Sequence, residues 1–147
     1  MKAKVSSYMS PQLIAIPPTL GIREAFFKMK ENSIRHLPIV DENNNLVGII
    51  SDRELRRPNW VDEAKDISHV YYLDNSMLVS DVMITKVHVI HTYDTLNKAV
   101  TLLLDNHIGA APVLDKTGNL VGNLVGMLSA IDLLRALKDS IDQQRDN

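Results

Sequence analysis

At 147 residues the chain is about one domain long, and 45% hydrophobic with 23% charged residues is the composition of an ordinary soluble globular protein. A net charge of −2 supplies no electrostatic case for a nucleic acid or an anionic membrane as partner. Without cysteine, disulfides and thiolate metal sites are excluded and a cytoplasmic address is expected; no apolar run approaches a membrane span, and Met1-Lys2-Ala3-Lys4 leads into Ser6-Ser7 rather than a signal-peptide core.

Residues 5 to 9 read as a short helical turn, and Leu13-Ile14-Ala15-Ile16 as a brief strand stopped by Pro17-Pro18. Ile22, Ala25, Phe26 and Met29 are spaced as one face of a helix from about Gly21 to Glu31. His36 to Val40 then reads as a strand, Asp41-Glu42-Asn43-Asn44-Asn45 as a polar turn, and Leu46 to Ile50 as the hairpin partner. Ser51 opens a short helix that Pro58 ends. Residues 58–78 form a linker, in which Asp62 to Asp66 suggests a helical turn and Trp60, Tyr71 and Tyr72 either pin the segment to the body or mark a partner surface.

Beyond the linker the same order returns. Val79 to Met83 is a turn, Val87 to Ile90 a strand, and Thr95 the N-cap of a helix to Asn106 with Leu96, Ala99, Val100 and Leu103 as its buried stripe. Ala110 to Leu114 and Leu124 to Leu128 make a second hairpin around a loop holding Gly118 and Asn119. The last helix starts at Ser129, runs through Leu133, Leu134 and Leu137, and gives way to a polar tail, residues 138–147, that is expected to fray.

This return is an internal repeat. An offset of 74 aligns Val5 with Val79, Met9 with Met83, Ile16 with Ile90, Ala25 with Ala99, Ile34 with Ile108, Pro38 with Pro112 and Gly48 with Gly122. The offset then becomes 78, aligning Ser51 with Ser129 and Leu55 with Leu133, because Leu120-Val121-Gly122-Asn123 is followed at once by its near-copy Leu124-Val125-Gly126-Met127. The organisation is therefore repeat 1 over 1–57, linker over 58–78, repeat 2 over 79–137 and the tail. Each repeat is too small to bury a secure core alone, so the two are expected to pack together.

The stretch with most chemistry is Leu124 to Leu134, an apolar strand entering a helix through Ser129-x-x-Asp132. Gly126 would allow close backbone approach, the first helical turn offers N–H groups suited to an anion, and the Asp132 carboxylate can accept two hydroxyl donors, as a sugar cis-diol would present. The same four residues also spell a capping box that satisfies only the helix itself. His88 and His91, three apart on a strand, face opposite ways and cannot share a metal. Arg53, Arg56 and Arg57 are a solvated face or a contact for polyphosphate or a partner. No nucleophile elbow, thiol nucleophile, P-loop or metal-spaced carboxylate set is present in the sequence, so no enzyme activity is expected.

Strand, helix, strand, strand, helix, written twice, with Ile34-Arg35-His36-Leu37-Pro38-Ile39-Val40-Asp41 before the hairpin loop and Leu46-Val47-Gly48-Ile49-Ile50-Ser51-Asp52-Arg53-Glu54-Leu55 after it, resembles the cystathionine β-synthase (CBS) domain. The pair resembles a Bateman module, and the layout is similar to stand-alone CBS-pair proteins of the acetoin-utilisation type. The resemblance implies an α/β (α+β) fold of two CBS repeats packed with pseudo-two-fold symmetry, and a homodimer. It also implies a regulatory role in which an adenosine derivative (AMP, ADP, ATP or S-adenosylmethionine) is bound between the repeats as ligand, no cofactor being required, and signals to an effector protein in trans. Carried residue by residue, it puts Ser129 and Asp132 on the ribose, Val87 and Val89 by the base, and Arg35 or His36 at the phosphate. The second cleft would hold Ser51 with Glu54 in place of Asp, and has Gly109 and Ala110 where the first has Arg35 and His36, so it is the weaker one. The rival reading is an interaction or oligomerisation scaffold with empty clefts.

Overall fold

Two β-hairpins of one design carry the fold in the computed structural model, which describes residues 3–11, 14–56, 76–115 and 123–146. The linker aromatics Trp60, Tyr71 and Tyr72, the Asp62 to Asp66 turn, Arg57 and the duplicated Leu120-Val121-Gly122 lie outside the described residues. The chain divides into a first-copy unit, Ile14–Val87, and a second-copy unit made of Met1–Leu13 with His88–Asn147. The spatial units thus differ from the repeats read along the chain, because each unit includes the segment that leads into the other copy.

In the first-copy unit, helix α1 (Ile22–Glu31) packs against the antiparallel hairpin of β1 (His36–Val40) and β2 (Leu46–Ser51), followed by helix α2 (Asp52–Arg56) and helix α3 (Val79–Val82). The stripe Ile22, Ala25 and Met29 is buried with Ile16, Leu37, Ile39, Ile50, Leu55 and Val79, while Phe26 is packed at the edge. Each fully buried Leu or Ile here stabilises the unit by about 1.5–3 kcal/mol. Gly21 caps α1 with extended backbone and no side-chain acceptor; instead the Ile22 amide donates to the Met77 carbonyl at 3.0 Å and the Val79 amide to the Leu20 carbonyl at 2.8 Å. The lead-in to the second copy therefore accepts from the first amide of α1 and donates to the Leu20 carbonyl, two groups that a lone first repeat would leave open. In the hairpin turn, Asp41 accepts from the amides of Asn45 and Asn43, both at 2.9 Å, and these bonds hold its carboxyl below the usual range.

The second-copy unit repeats the design with strand β3 (Ile90–His91), helix α4 (Leu96–Asn106), the hairpin of β4 (Ala110–Leu114) and β5 (Leu124–Ser129), and helix α5 (Ala130–Arg145). Thr95 caps α4 by accepting from the Lys98 amide at 3.1 Å, and Leu96, Ala99 and Leu103 are buried with Val5, Ile90, Ala111, Val113, Leu128 and Ala136. The N-terminal segment, with its 3-10 turn Val5–Ser7, fits this core: Val5 is fully buried, its amide donates to the Asp94 carbonyl at 2.9 Å, and the Tyr8 hydroxyl donates to Asp139 Oδ2 at 2.8 Å.

Three sequence expectations need correction. The strands expected at Leu13 to Ile16, of which Leu13 lies outside the described residues, and at Val87 to Ile90 are replaced by one parallel bridge, Ile16 with Ile39, and by the two-residue β3. The reason is Pro38 in one copy and Pro112 in the other. Extending either parallel ladder toward the N-terminus requires an amide donor at that position, and proline has none. The third correction concerns residues 138–147, expected to fray: α5 continues to Arg145, held by Lys138 to Asp142 at 2.9 Å and by the Tyr8 bond to Asp139.

Each lead-in segment crosses the outer edge of its hairpin at a glycine. Ser10 and Met127 exchange backbone bonds of 2.8 and 3.1 Å beside Gly126, and Ile84 and Ile49 exchange two of 2.9 Å beside Gly48. A Cβ on Gly126 would stand 2.4 Å from the Ser10 carbonyl oxygen, a backbone atom that cannot move aside alone. A Cβ on Gly48 would meet the flexible Met83 Sδ at 2.7 Å and the Ile84 carbonyl oxygen at 3.1 Å. Gly126→Ala is therefore expected to cost about 2–3 kcal/mol in denaturant unfolding and Gly48→Ala about 1 kcal/mol. Equal losses would show that the crossing is looser than this geometry.

Candidate functional site

Ser129 ends β5 and caps α5, so strand and helix meet with no intervening loop. The Asp132 amide donates to Ser129 Oγ at 3.3 Å, while Asp132 Oδ2 accepts from the Ser129 amide at 2.9 Å and its hydroxyl at 3.1 Å. This is the complete capping box. Asp132 is only 7% exposed, and its other oxygen, Oδ1, accepts from Arg135 Nη1 at 2.9 Å. Both readings of Ser129-x-x-Asp132 thus share one geometry: the carboxylate is anchored by the helix cap, and its outer oxygen is paired with a cation.

Two parts of the sequence reading change. Gly126 does allow close backbone approach, but the approaching backbone is Ser10 of the same chain. The first-turn donors of α5 are also partly used: the Ala130 amide donates to the Gly109 carbonyl at 2.9 Å and the Asp132 amide to Ser129. Arg135, which the sequence reading passed over, completes the group. Its signal was the i, i+3 spacing from Asp132, which places opposite charges on one helical face.

The first copy reproduces this junction with different chemistry. Glu54 Oε2 accepts from the Ser51 amide at 2.6 Å and from the Ser51 hydroxyl, and the Arg53 amide donates to Ser51 Oγ at 3.3 Å. The Asp52 amide donates to the Arg35 carbonyl at 3.0 Å, as Ala130 does to Gly109 in the other copy. His36 heads β1 opposite Ser51. Burial pushes its imidazole below the ordinary histidine range, opposed by the charges of Asp52 and Glu54 and reinforced by that of Arg35. Arg35 and His36 belong to the first-copy unit, Ser129 and Asp132 to the second-copy unit. Val87 and Val89 are half-buried and in no ladder; along the chain, Val87 ends the first-copy unit and Val89 belongs to the second-copy unit.

Elsewhere, buried Asp94 accepts from the His91 amide at 2.8 Å and from Lys98 Nζ at 3.2 Å, and the His91 ring stacks on Tyr93. Among the described residues no group of three His, Cys, Asp or Glu could hold a metal ion, and no helix is long and apolar enough to cross a membrane. Helix α5 leaves Ile131, Leu134, Leu137 and Ile141 exposed, along one side of the helix away from buried Asp132 and Ala136. Of the apolar residues expected to continue this helix, Leu133 is packed and Leu134 and Leu137 face outward.

The family model of the CBS domain matches this chain twice, over residues 5–58 and 79–139, and each match includes one hairpin with the Ser-x-x-acid step that follows it. The chain belongs to the CBS domain family, as a tandem CBS pair. It is 32% identical to a CBS domain-containing protein of Dictyostelium discoideum, over 98% of this chain and 99% of that protein. Among solved structures it resembles CBSX2 of Arabidopsis thaliana in complex with AMP, at 28% identity and TM-score 0.73 over 92% of this chain and 96% of that one. It also shares the fold of AcuB from Vibrio cholerae, at 24% identity and TM-score 0.75 over 100% and 98% of the two chains. Other curated relatives are longer, and the chain spans 22% of one and 48% of another.

The lowered pKa of His36 sets a pH dependence. In the unfolded chain the imidazole takes up its proton near pH 6.5, and in the folded unit it resists doing so. The folded state is fully favoured above about pH 6.5 and loses this contribution as pH falls through the lowered folded pKa. The denaturant midpoint of the wild type should therefore drop more between neutral and mildly acidic pH than that of His36→Gln. Parallel pH profiles for the two would show that the histidine is protonated freely in the fold.

Proposed function

We propose that the chain is a regulatory module that binds an adenosine derivative and passes that state to a partner protein in trans. The observation that carries the reading is the buried Asp132 carboxylate, anchored by Ser129 at a strand-to-helix junction in a CBS pair. The AMP complex of the 28% identical relative supports AMP as the first ligand to test, with ADP, ATP and S-adenosylmethionine as alternatives. In this reading Ser129 and Asp132 hold the ribose, Val87 and Val89 line the base, and Arg35 or His36 meets the phosphate. Ser51 and Glu54 form a weaker second site, because the longer Glu54 stands in place of Asp and the positions matching Arg35 and His36 are Gly109 and Ala110. The ligand's unequal affinity for two arrangements of the pair shifts their populations, and that shift is the signal. The cysteine-free composition supports a cytoplasmic address.

Calorimetry with AMP tests the site. Wild type is expected to bind one AMP per chain, and Asp132→Asn, which keeps an acceptor for the cap, is expected to lose about 1.5–3 kcal/mol of affinity. No heat with any of the four ligands, and no rise in melting temperature, would favour the scaffold reading with empty clefts. The homodimer belongs to the same proposal and is supported by the exposed row Ile131, Leu134, Leu137 and Ile141. Leu134→Asp should shift the chain from dimer to monomer in light scattering, and an unchanged mass would place the interface elsewhere.

A further inference from the structure

The two oxygens of Asp132 are not equally available. Oδ2 accepts from both the amide and the hydroxyl of Ser129, which uses its two lone pairs. Oδ1 accepts from Arg135 Nη1 at 2.9 Å, which leaves one acceptor position on the whole carboxylate. A cis-diol donating both hydroxyls to that carboxylate needs two.

We propose that Arg135 is a latch on Asp132: its guanidinium occupies the acceptor required by the second ribose hydroxyl, and a nucleoside binds by displacing it. This inference rests on the adenosine-binding reading above and names the residue that tunes that site.

The two partners differ in how firmly they are held. Asp132 is buried and fixed by the helix cap, whereas the Arg135 side chain is 67% exposed. An exposed ion pair contributes little, and a long side chain regains rotamer freedom on release. The ligand would therefore compete with a weak contact and leave the strong one intact. Lys138, the next cation along the helix, is paired with Asp142 at 2.9 Å. A latch of this kind lowers the affinity for any diol and makes it depend on salt, because ions screen the exposed pair that the diol has to break.

Adenosine is the probe, since it carries the diol without a phosphate that Arg135 could attract. In calorimetry at low salt, Arg135→Gln is expected to bind adenosine about two- to fivefold more tightly than wild type, the weight of one exposed ion pair. The gap should close as salt is raised to about 0.5 M. Arg135→Lys, which keeps a cation within reach of Oδ1, should behave as wild type, and all three proteins should melt together. Weaker or equal adenosine binding by Arg135→Gln would overturn the latch, showing that Arg135 holds the ligand or stands aside. If AMP binds and is lost in Asp132→Asn while Arg135→Gln has no effect, the latch alone fails. If no variant binds adenosine or AMP, the adenosine reading fails and the latch with it.

Discussion

Everything in this chain depends on a backbone crossing made possible by a missing side chain. At Gly126 the segment leading into the first copy bonds to the outer edge of β5, and at Gly48 the segment leading into the second copy does the same to β2. The hairpins are only two strands deep, and a bare outer edge would expose unpaired amides and carbonyls. The crossings cover part of that edge and deliver Val5 and Val79 to the two cores, both fully buried. They also tie each spatial unit to residues that precede the other copy in sequence.

The prolines complete this design. Pro38 and Pro112 sit in the strand that faces the short parallel partner, and neither can donate a bond toward it. Parallel pairing therefore begins only at Ile16 in one unit and at Ile90 in the other. The residues just before Ile90, Val87 to Val89, keep their backbone groups out of the sheet.

At the helix starts, one local device serves two ends. A capping box draws a carboxylate back onto the strand terminus, where it satisfies helix donors at little cost. In the first copy the longer Glu54 accepts from the Ser51 amide and hydroxyl through one oxygen, Oε2. In the second, the shorter Asp132 turns one oxygen to Ser129 and leaves the other facing Arg135.

The sequence by itself determined the repeat, the hairpins, the caps at Thr95 and Ser129, and the inequality of the two Ser-x-x-acid steps. Those features are local: periodicity, turn residues and capping chemistry act within a few positions and survive translation by 74 or 78 residues. Tertiary structure alone decided that Gly126 receives Ser10 instead of a ligand, that the strands before Pro38 and Pro112 do not propagate, and that residues 138 to 145 remain helical under Tyr8. Each of these is a pairing between residues far apart in the chain, or between a residue and an edge whose partner no local pattern names. The Asp132 to Arg135 pair lies between the two cases. Its spacing was legible, but the pairing of Arg135 with the outer oxygen depends on Ser129 having taken the inner one.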